Sequence, residues 1–153
     1  MSLPVEFHTE LTLQLHRWLR DRTLFARCEY RLPAGRIADI ISIDQNGEIS
    51  IYEIKTQFKD SLIMVAMNKY QAFCNRLWIV APDIPTNYIN QRDFLTVWPS
   101  RDQQPGLIQL GNSTATIIRT ARYQHLPAHH AVMLRNGIMK NVTPEQLFVT
   151  LDP

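Results

Sequence analysis

Apolar and polar residues alternate with a period of two along residues 36–44 and 48–55, on either side of the segment Gln45-Asn46-Gly47. Both stretches are rich in β-branched residues, which predicts a β-hairpin. Residues 5–20 have a helical period instead, so they are predicted to form a helix whose apolar stripe lies on the sheet. Residues 23–32 are predicted to form a strand between this helix and the hairpin, ending at a turn that contains proline and glycine.

The second half of the chain predicts a helix at 61–75 and a continuous apolar run at 77–81. Such a run after a crossover helix is typical of a buried strand that lies parallel to an earlier one. The remaining predicted elements are irregular chain at 82–105 with short pieces at 87–94 and 95–98, a second hairpin at 106–110 and 114–121, a helix at 128–140 and a last turn at 144–150. No repeat or linker divides the sequence, so residues 1–153 are expected to form one domain.

The length of the hairpin loop decides whether Asp39 and Glu53, two acids in otherwise apolar strands, share a face of the sheet. A two-residue Asn46-Gly47 loop places them on opposite faces. A three-residue loop with Gly47 in the left-handed conformation places Asp39 opposite Glu53. We favour the three-residue loop, because a shared cation can keep two mid-sheet carboxylates charged, whereas burying either one alone is costly.

Lys55 lies two residues after Glu53 and therefore on the same predicted face, roughly 6–7 Å along the strand. Two carboxylates beside a lysine suit a hard divalent ion, Mg²⁺ or Mn²⁺, which polarises a phosphoryl oxygen and lowers the pKa of a bound water. Lys55 would orient that water or stabilise charge on the phosphate. The pattern thus favours metal-assisted hydrolysis of a phosphodiester.

The same residues carry a family resemblance. Asp39 followed by Glu53-Ile54-Lys55 resembles the Asp…Glu-x-Lys signature of the PD-(D/E)xK nuclease superfamily. Within it, the chain is similar to the MmcB-like DNA-repair family over about residues 24–135. The matching residues are Glu29, Arg36-Ile37-Ala38-Asp39, Asp44, Gly47-Glu48, Glu53-Ile54-Lys55-Thr56, Asp60, Tyr70, Cys74, Arg76-Leu77, Gly106-Leu107-Ile108 and His125-Leu126-Pro127-Ala128. The chain departs from this resemblance at Met64, Ala66 and Asn75, where charged residues are expected.

The resemblance implies an α/β fold with a restriction-endonuclease-like αβββαβ core, a mixed sheet flanked by helices, and here an extra C-terminal hairpin and helix. It also implies a DNA endonuclease of DNA repair or processing. In that scheme Asp39, Glu53 and the backbone carbonyl of Ile54 bind the metal, and Asp39, Glu53 and Lys55 are the catalytic residues.

Composition adds limits. The chain has 45% hydrophobic and 20% charged residues, and no apolar run of the roughly 18–20 residues that a membrane span requires. The start of the sequence lacks a signal-peptide pattern, so we expect a cytoplasmic protein of a prokaryotic-type cell. Cys28 and Cys74 are expected to be reduced thiols in the core.

Charge supports DNA binding only weakly, because the net charge is +2. Residues 103–143 nevertheless contain no acid, and include Arg119 and Arg122, so this stretch either contacts phosphates or is a solvated basic face. Arg36 and Lys69 are further candidates for phosphate contacts. Glu10 and Glu29 are candidate additional acids for the metal, while Tyr70 is expected in the core and the histidines do not have zinc-site spacing.

Three functions stay open at this point: a nuclease, a non-catalytic DNA-binding or accessory module with the same fold, and a plain structural domain. The chain is too short for a separate recognition domain, so DNA specificity is expected to come from a homodimer or a partner protein.

Overall fold

The computed structural model describes residues 4–85 and 105–148. The short pieces expected at 87–94 and 95–98 lie outside these ranges. The helices are α1 (Pro4–Leu19), α2 (Asp60–Tyr70) and α3 (Ala128–Met139), with single 3₁₀ turns at Gln71–Phe73 and Pro144–Gln146. The strands are β1 (Phe25–Arg31), β2 (Ile37–Ile43), β3 (Ile49–Ile54), β4 (Arg76–Ala81), β5 (Gly106–Leu110) and β6 (Ala115–Arg119).

The six strands form one mixed sheet in the order β1-β2-β3-β4-β5-β6. The first three strands are antiparallel neighbours, β3, β4 and β5 run parallel to one another, and β6 returns antiparallel to β5. Helix α2 connects β3 to the parallel strand β4, as the apolar run after a predicted helix indicated. The expected αβββαβ core is therefore confirmed, as are the additional C-terminal hairpin and helix.

The β2–β3 hairpin has the three-residue loop that the sequence favoured. Ile43 pairs with Ile49, and the amide of Asp44 donates to the carbonyl of Glu48, which leaves residues 45–47 as the loop. Gly47 has φ +80°, a left-handed conformation that glycine adopts without a Cβ penalty. Below, "turn end" means the end of the hairpin at this loop, and "open end" means the other end, at Asp39, Glu53 and Lys55.

Each face of the sheet carries its own apolar core. One face packs on α2 and α3, and includes the hairpin residues Ile41, Ile43, Ile49 and Ile51. The opposite face packs on α1 through Leu11, Leu15, Leu19, Ile40, Tyr52, Ile54, Trp78, Val80 and Ile108. The predicted sheet-facing stripe of α1 is thus confirmed.

The two cysteines differ in exposure. Both are free thiols, but only Cys74 is buried, whereas Cys28 on β1 is exposed, so the prediction that both lie in the core was wrong. Glu29 has φ +51°, which interrupts the regular alternation of β1 next to Cys28. Among the described residues, no helix combines the length and the apolar character needed to cross a membrane.

Candidate active site

Asp39 lies where the ladder between β2 and β3 ends. The last regular pair is Ile40 with Tyr52, and beyond it Oδ2 of Asp39 accepts the backbone N–H of Ile54 at 2.8 Å. A side chain thus replaces a backbone acceptor between the two strands. The Nε2 atom of His8, on α1, is 3.4 Å from the same Oδ2. Asp39 is therefore held by a strand on one side and by a helix on the other.

Glu53 is buried in β3, with 9% of the residue exposed. The register of the hairpin places it one position beyond the Ile40–Tyr52 pair and hence across from Asp39. Its Oε1 accepts a hydrogen bond from Nζ of Lys55 at 3.1 Å, and the two residues form a partly buried ion pair. Its Oε2 is buried and has no hydrogen-bond partner among the described residues. Buried carboxylate oxygens are rarely left unpaired, because their desolvation is costly.

The surroundings of Glu53 raise the pKa of its carboxyl group above the usual value. Burial is the largest cause, because it disfavours the charged form, and the negative charge of Asp39 adds to it. Lys55 acts in the opposite direction through its charge and its hydrogen bond. The neighbouring hydroxyl of Tyr70 has a smaller lowering effect, although its hydrogen is donated to the carbonyl of Ile37 and not to Glu53. A cation bound to both carboxylates would act against burial and lower the pKa of Glu53, because it favours the charged form.

Tyr70, at the end of α2, is only 4% exposed, in line with the expected core position. Its hydroxyl group nevertheless belongs to the polar cluster, since it donates to the carbonyl of Ile37 at 2.9 Å. Burial, followed by the charges of Glu53 and Asp39, raises the pKa of Tyr70 well above its ordinary value. The hydroxyl therefore stays protonated and acts as a donor beside Glu53.

His8 and Tyr70 are the two site neighbours that sequence reasoning did not assign. His8 lies three residues before Leu11, so it extends the stripe of α1 that packs on the sheet. A polar residue on a stripe that is otherwise apolar was the available signal for His8. For Tyr70 the signal was a polar tip on the apolar stripe of α2.

The donor set at the open end suits a hard divalent ion. The two contacts of Asp39 both use Oδ2, and Lys55 uses Oε1 of Glu53, while Oε2 of Glu53 has no partner among the described residues. Within residues 4–85 and 105–148, no group of three or more His, Cys, Asp or Glu side chains is arranged to hold a metal. Two carboxylates are enough for Mg²⁺, which commonly completes its shell with water and substrate phosphate.

The two predicted additional acids, Glu10 and Glu29, are exposed and lie outside the contacts described for Asp39 and Glu53. Glu10 is exposed and lines a groove with Gln14 and Ser113, towards the β5–β6 turn. Glu29 is exposed on the edge strand β1. Partial burial of the Cys28 thiol raises its pKa, although the residue as a whole is exposed, and the negative charges of Glu29 and Asp39 add to this effect.

The predicted phosphate-binding residues are spread across the molecule. Arg36 is exposed in the turn before β2, and its charge opposes the raised pKa of Tyr70. Lys69 is partly exposed on α2, and Arg122 is exposed after β6. Arg119 is on the level of Glu53 in the sheet, through the pairs Glu53–Ile79, Ile79–Leu107 and Leu107–Arg119, but three strands away, or roughly 14 Å.

The chain is similar to one protein family and to two solved structures. The sequence profile of the family described as DNA repair protein MmcB-like matches residues 8–140. A solved structure of a protein of unknown function from Silicibacter pomeroyi is similar, with a TM-score of 0.66 and 20% identity over 90% of this chain and 84% of that one. A repair endonuclease from Pyrococcus abyssi matches more distantly, with a TM-score of 0.37 and 15% identity over 57% of this chain and 43% of that one. No curated protein sequence matches the chain significantly.

Proposed function

We propose that this chain, which belongs to the MmcB-like DNA repair protein family, is a Mg²⁺- or Mn²⁺-dependent DNA nuclease with its active site at Asp39, Glu53 and Lys55. The observation that carries the proposal is Oε2 of Glu53, a buried carboxylate oxygen without a hydrogen-bond partner among the described residues. A carboxylate of this kind, next to a second acid and a lysine, is suited to a bound cation.

In this proposal Asp39 and Glu53 hold the ion through their carboxylates, and the carbonyl of Ile54 is a third ligand. When bound, the ion supplies a Lewis acid for the phosphoryl oxygen and lowers the pKa of a water. Lys55 orients the attacking water or stabilises the negative charge that develops on the phosphate. Its position 3.1 Å from Glu53 supports that role, because its ammonium group is held at the acid pair.

The remaining predicted residues keep supporting roles in the proposal. Glu10 and Glu29 are candidate additional acids. Arg36, Lys69, Arg119 and Arg122 are candidate contacts to DNA phosphates. A homodimer or a partner protein would supply DNA specificity, and the mass of the protein in solution with and without DNA tests this point.

Cleavage assays test the nuclease function. Plasmid, single-stranded, flap and branched DNA are incubated with the protein in Mg²⁺, in Mn²⁺ and in EDTA. We expect metal-dependent cleavage of at least one substrate by the parent, and its loss in Asp39→Asn and Glu53→Ala. Asp21→Asn, which changes an exposed acid shortly after α1, is the matched control and should cut like the parent. Equal cleavage by parent and Glu53→Ala would refute the proposal.

A non-catalytic DNA-binding module is the second candidate. It is favoured by the protein partners that Asp39 and Glu53 already have, namely His8, the amide of Ile54 and Lys55. Such a module would bind DNA in EDTA and cut no substrate in either metal. Titration calorimetry with Mn²⁺ separates the two candidates independently of activity, since only a metal site loses affinity in Asp39→Asn.

A further inference from the structure

A basic groove of about 520 Å³ follows β1, the edge strand nearest the acid pair. Residues of β1 line one side, and Gly137, Lys140 and Asn141, at the end of α3, line the other. The lining carries three positive side chains, Arg27, Arg31 and Lys140, against one acid, Glu29. A positive excess of this kind attracts a polyanion.

The side chain of Arg27 lines the groove and is held in place by hydrogen bonds. Its guanidinium group donates to the backbone carbonyls of Ile138 and Lys140, at the C-terminal end of α3. The carbonyl of Ile138, in the last turn of α3, belongs to the negative end of the helix dipole, which would otherwise repel an anion. Arg31 and Lys140 are exposed, so their charges are presented to solvent along the groove.

The β1 groove is closer to the acid pair than Arg119, at β6, is. The pairs Cys28–Ile40 and Tyr30–Ala38 place Glu29 across from Asp39, one strand away, or roughly 5 Å. Arg119 is on the opposite edge strand, roughly 14 Å from Glu53 by strand spacing. The β1 groove therefore begins one strand away from Asp39, and a DNA strand bound at the acid pair would lie beside it.

We infer that the β1 groove binds the phosphate backbone of DNA next to the acid pair of Asp39 and Glu53, with Arg31 and Lys140 as the phosphate contacts. The inference rests on the proposed function only in taking DNA as the ligand. It assigns the DNA path to the β1 edge of the sheet and not to Arg119 and Arg122.

DNA binding in EDTA tests the path without any cleavage. Fluorescence anisotropy is measured with labelled single-stranded and duplex oligonucleotides between 50 and 200 mM salt. Three double variants are compared: Arg31→Ala with Lys140→Ala, Arg119→Ala with Arg122→Ala, and the control Arg17→Ala with Arg20→Ala, in the last turn of α1 and directly after it. Each removes two positive charges from the chain, and thermal unfolding of each verifies the fold.

Of the three variants, only Arg31/Lys140 is expected to lose a large part of the salt dependence of its DNA affinity. Each lost phosphate contact lowers the slope of log K against log salt by about 0.7–0.9, so two contacts lower it by about 1.4–1.8. An Arg31/Lys140 variant that binds like the Arg17/Arg20 control would overturn the inference. A loss confined to the Arg119/Arg122 variant would overturn it too, because DNA would then follow the β6 edge.

The binding and cleavage experiments distinguish a failure of the proposed DNA path from a failure of the proposed nuclease activity. A parent that binds DNA through the groove but cuts nothing in Mn²⁺ leaves the inference standing and refutes the nuclease. If the parent cuts DNA, and the Arg31/Lys140 variant binds DNA as the parent does, the nuclease is supported and the groove is refuted. A parent that binds no DNA in EDTA refutes the groove as well.

Discussion

At the turn end of the β2–β3 hairpin, the amide group of Asn75 pairs with two backbone groups, whereas at the open end one carboxylate oxygen of Glu53 is buried without a partner among the described residues. Oδ1 of Asn75 accepts the N–H of Ile49 at 2.9 Å, and its Nδ2 donates to the carbonyl of Gln124 at 3.0 Å. Both side chains are buried in the same small protein.

The turn end also pairs its charges. Arg76 donates to Oε1 of Glu48 at 2.9 Å and to the carbonyl of Ala121, and Arg135 donates to the carbonyl of Gly47 at 2.8 Å. Polar groups that satisfy one another in this way hold strands and loops together, and offer little to a ligand. The open end retains unused acceptor capacity, which is what a cation requires. We therefore expect stability to depend on the turn end, and the proposed metal binding to depend on the open end.

Glu53→Gln is expected to have the largest effect, and it acts on activity. The variant keeps the size of the side chain but removes the charge that is proposed to bind the metal. We expect metal-dependent cleavage to fall on the order of 1,000-fold, about 4 kcal/mol of transition-state stabilisation. The free energy of unfolding should stay level or rise, because a buried carboxylate with an unpaired oxygen is costly. Single-turnover cleavage and urea unfolding measure the two quantities.

Glu48→Gln is the matched control at the turn end, since it neutralises a carboxylate that is already paired with Arg76. Its cleavage rate should equal that of the parent. A similar loss of cleavage in both variants would mean that the two ends do not differ in function.

Asn75→Ala is expected to have the next largest effect, on stability. It leaves the N–H of Ile49 and the carbonyl of Gln124 without their partner, and unsatisfied buried groups of this kind cost about 2–3 kcal/mol in the free energy of unfolding. Urea unfolding measures the loss. Asn68→Ala, an exposed site on α2, is the control and should unfold like the parent. Retained Mn²⁺ affinity in folded Asn75→Ala would sharpen the division between the ends.

Gly47→Ala should have a smaller effect, of about 1–2 kcal/mol, because an L-residue is strained in the left-handed conformation. An added Cβ would also lie 3.0 Å from Nε of Arg135. Gly35→Ala is the matched control, since Gly35 has φ +81° but no atom within 4 Å of its added Cβ. The difference between the two free energies of unfolding isolates the contact with Arg135. Equal losses would show that this contact adds nothing to the turn.

The sequence predicted the hairpin well because its register depends on local chemistry. Alternation specifies which side chains share a face, and Gly47 permits the three-residue loop, so the placement of Asp39 across from Glu53 follows from few residues. The crossover from β3 through α2 to β4 was predictable for the same reason, since a helical period is followed by a short apolar run.

Tertiary contacts were not predictable in the same way. His8 and Tyr70 reach the acid pair from helices on opposite faces of the sheet, and the helical period does not specify which polar residue of a helix meets which strand. The exposure of Cys28 was not predicted. The adjacent Glu29 has a positive φ that interrupts the alternation of β1, and no local sequence pattern indicates this conformation. The departure at Asn75 has a structural explanation, since its amide completes the turn end.

The smallest expected effect is a pH dependence of stability that belongs to the open end. The pKa of Glu53 is raised in the folded protein, chiefly by burial and then by Asp39. The folded state therefore holds this proton at pH values where the unfolded chain, with its usual pKa of 4.5, has released it. The stabilisation from this group is fully present below pH 4.5 and is lost as the pH rises through the folded-state pKa.

Urea unfolding of the parent and of Glu53→Gln across this pH range measures the effect. The free energy of unfolding of the parent should fall relative to that of the variant as the pH rises above 4.5, and the difference should level off above the folded-state pKa of Glu53. Mn²⁺ should cancel the fall in the parent, because an ion at the two acids favours the charged carboxylate and competes with the proton. Parallel pH profiles for the two proteins would show that the unpaired oxygen of Glu53 has no energetic consequence, and the contrast between the two ends would then be one of geometry alone.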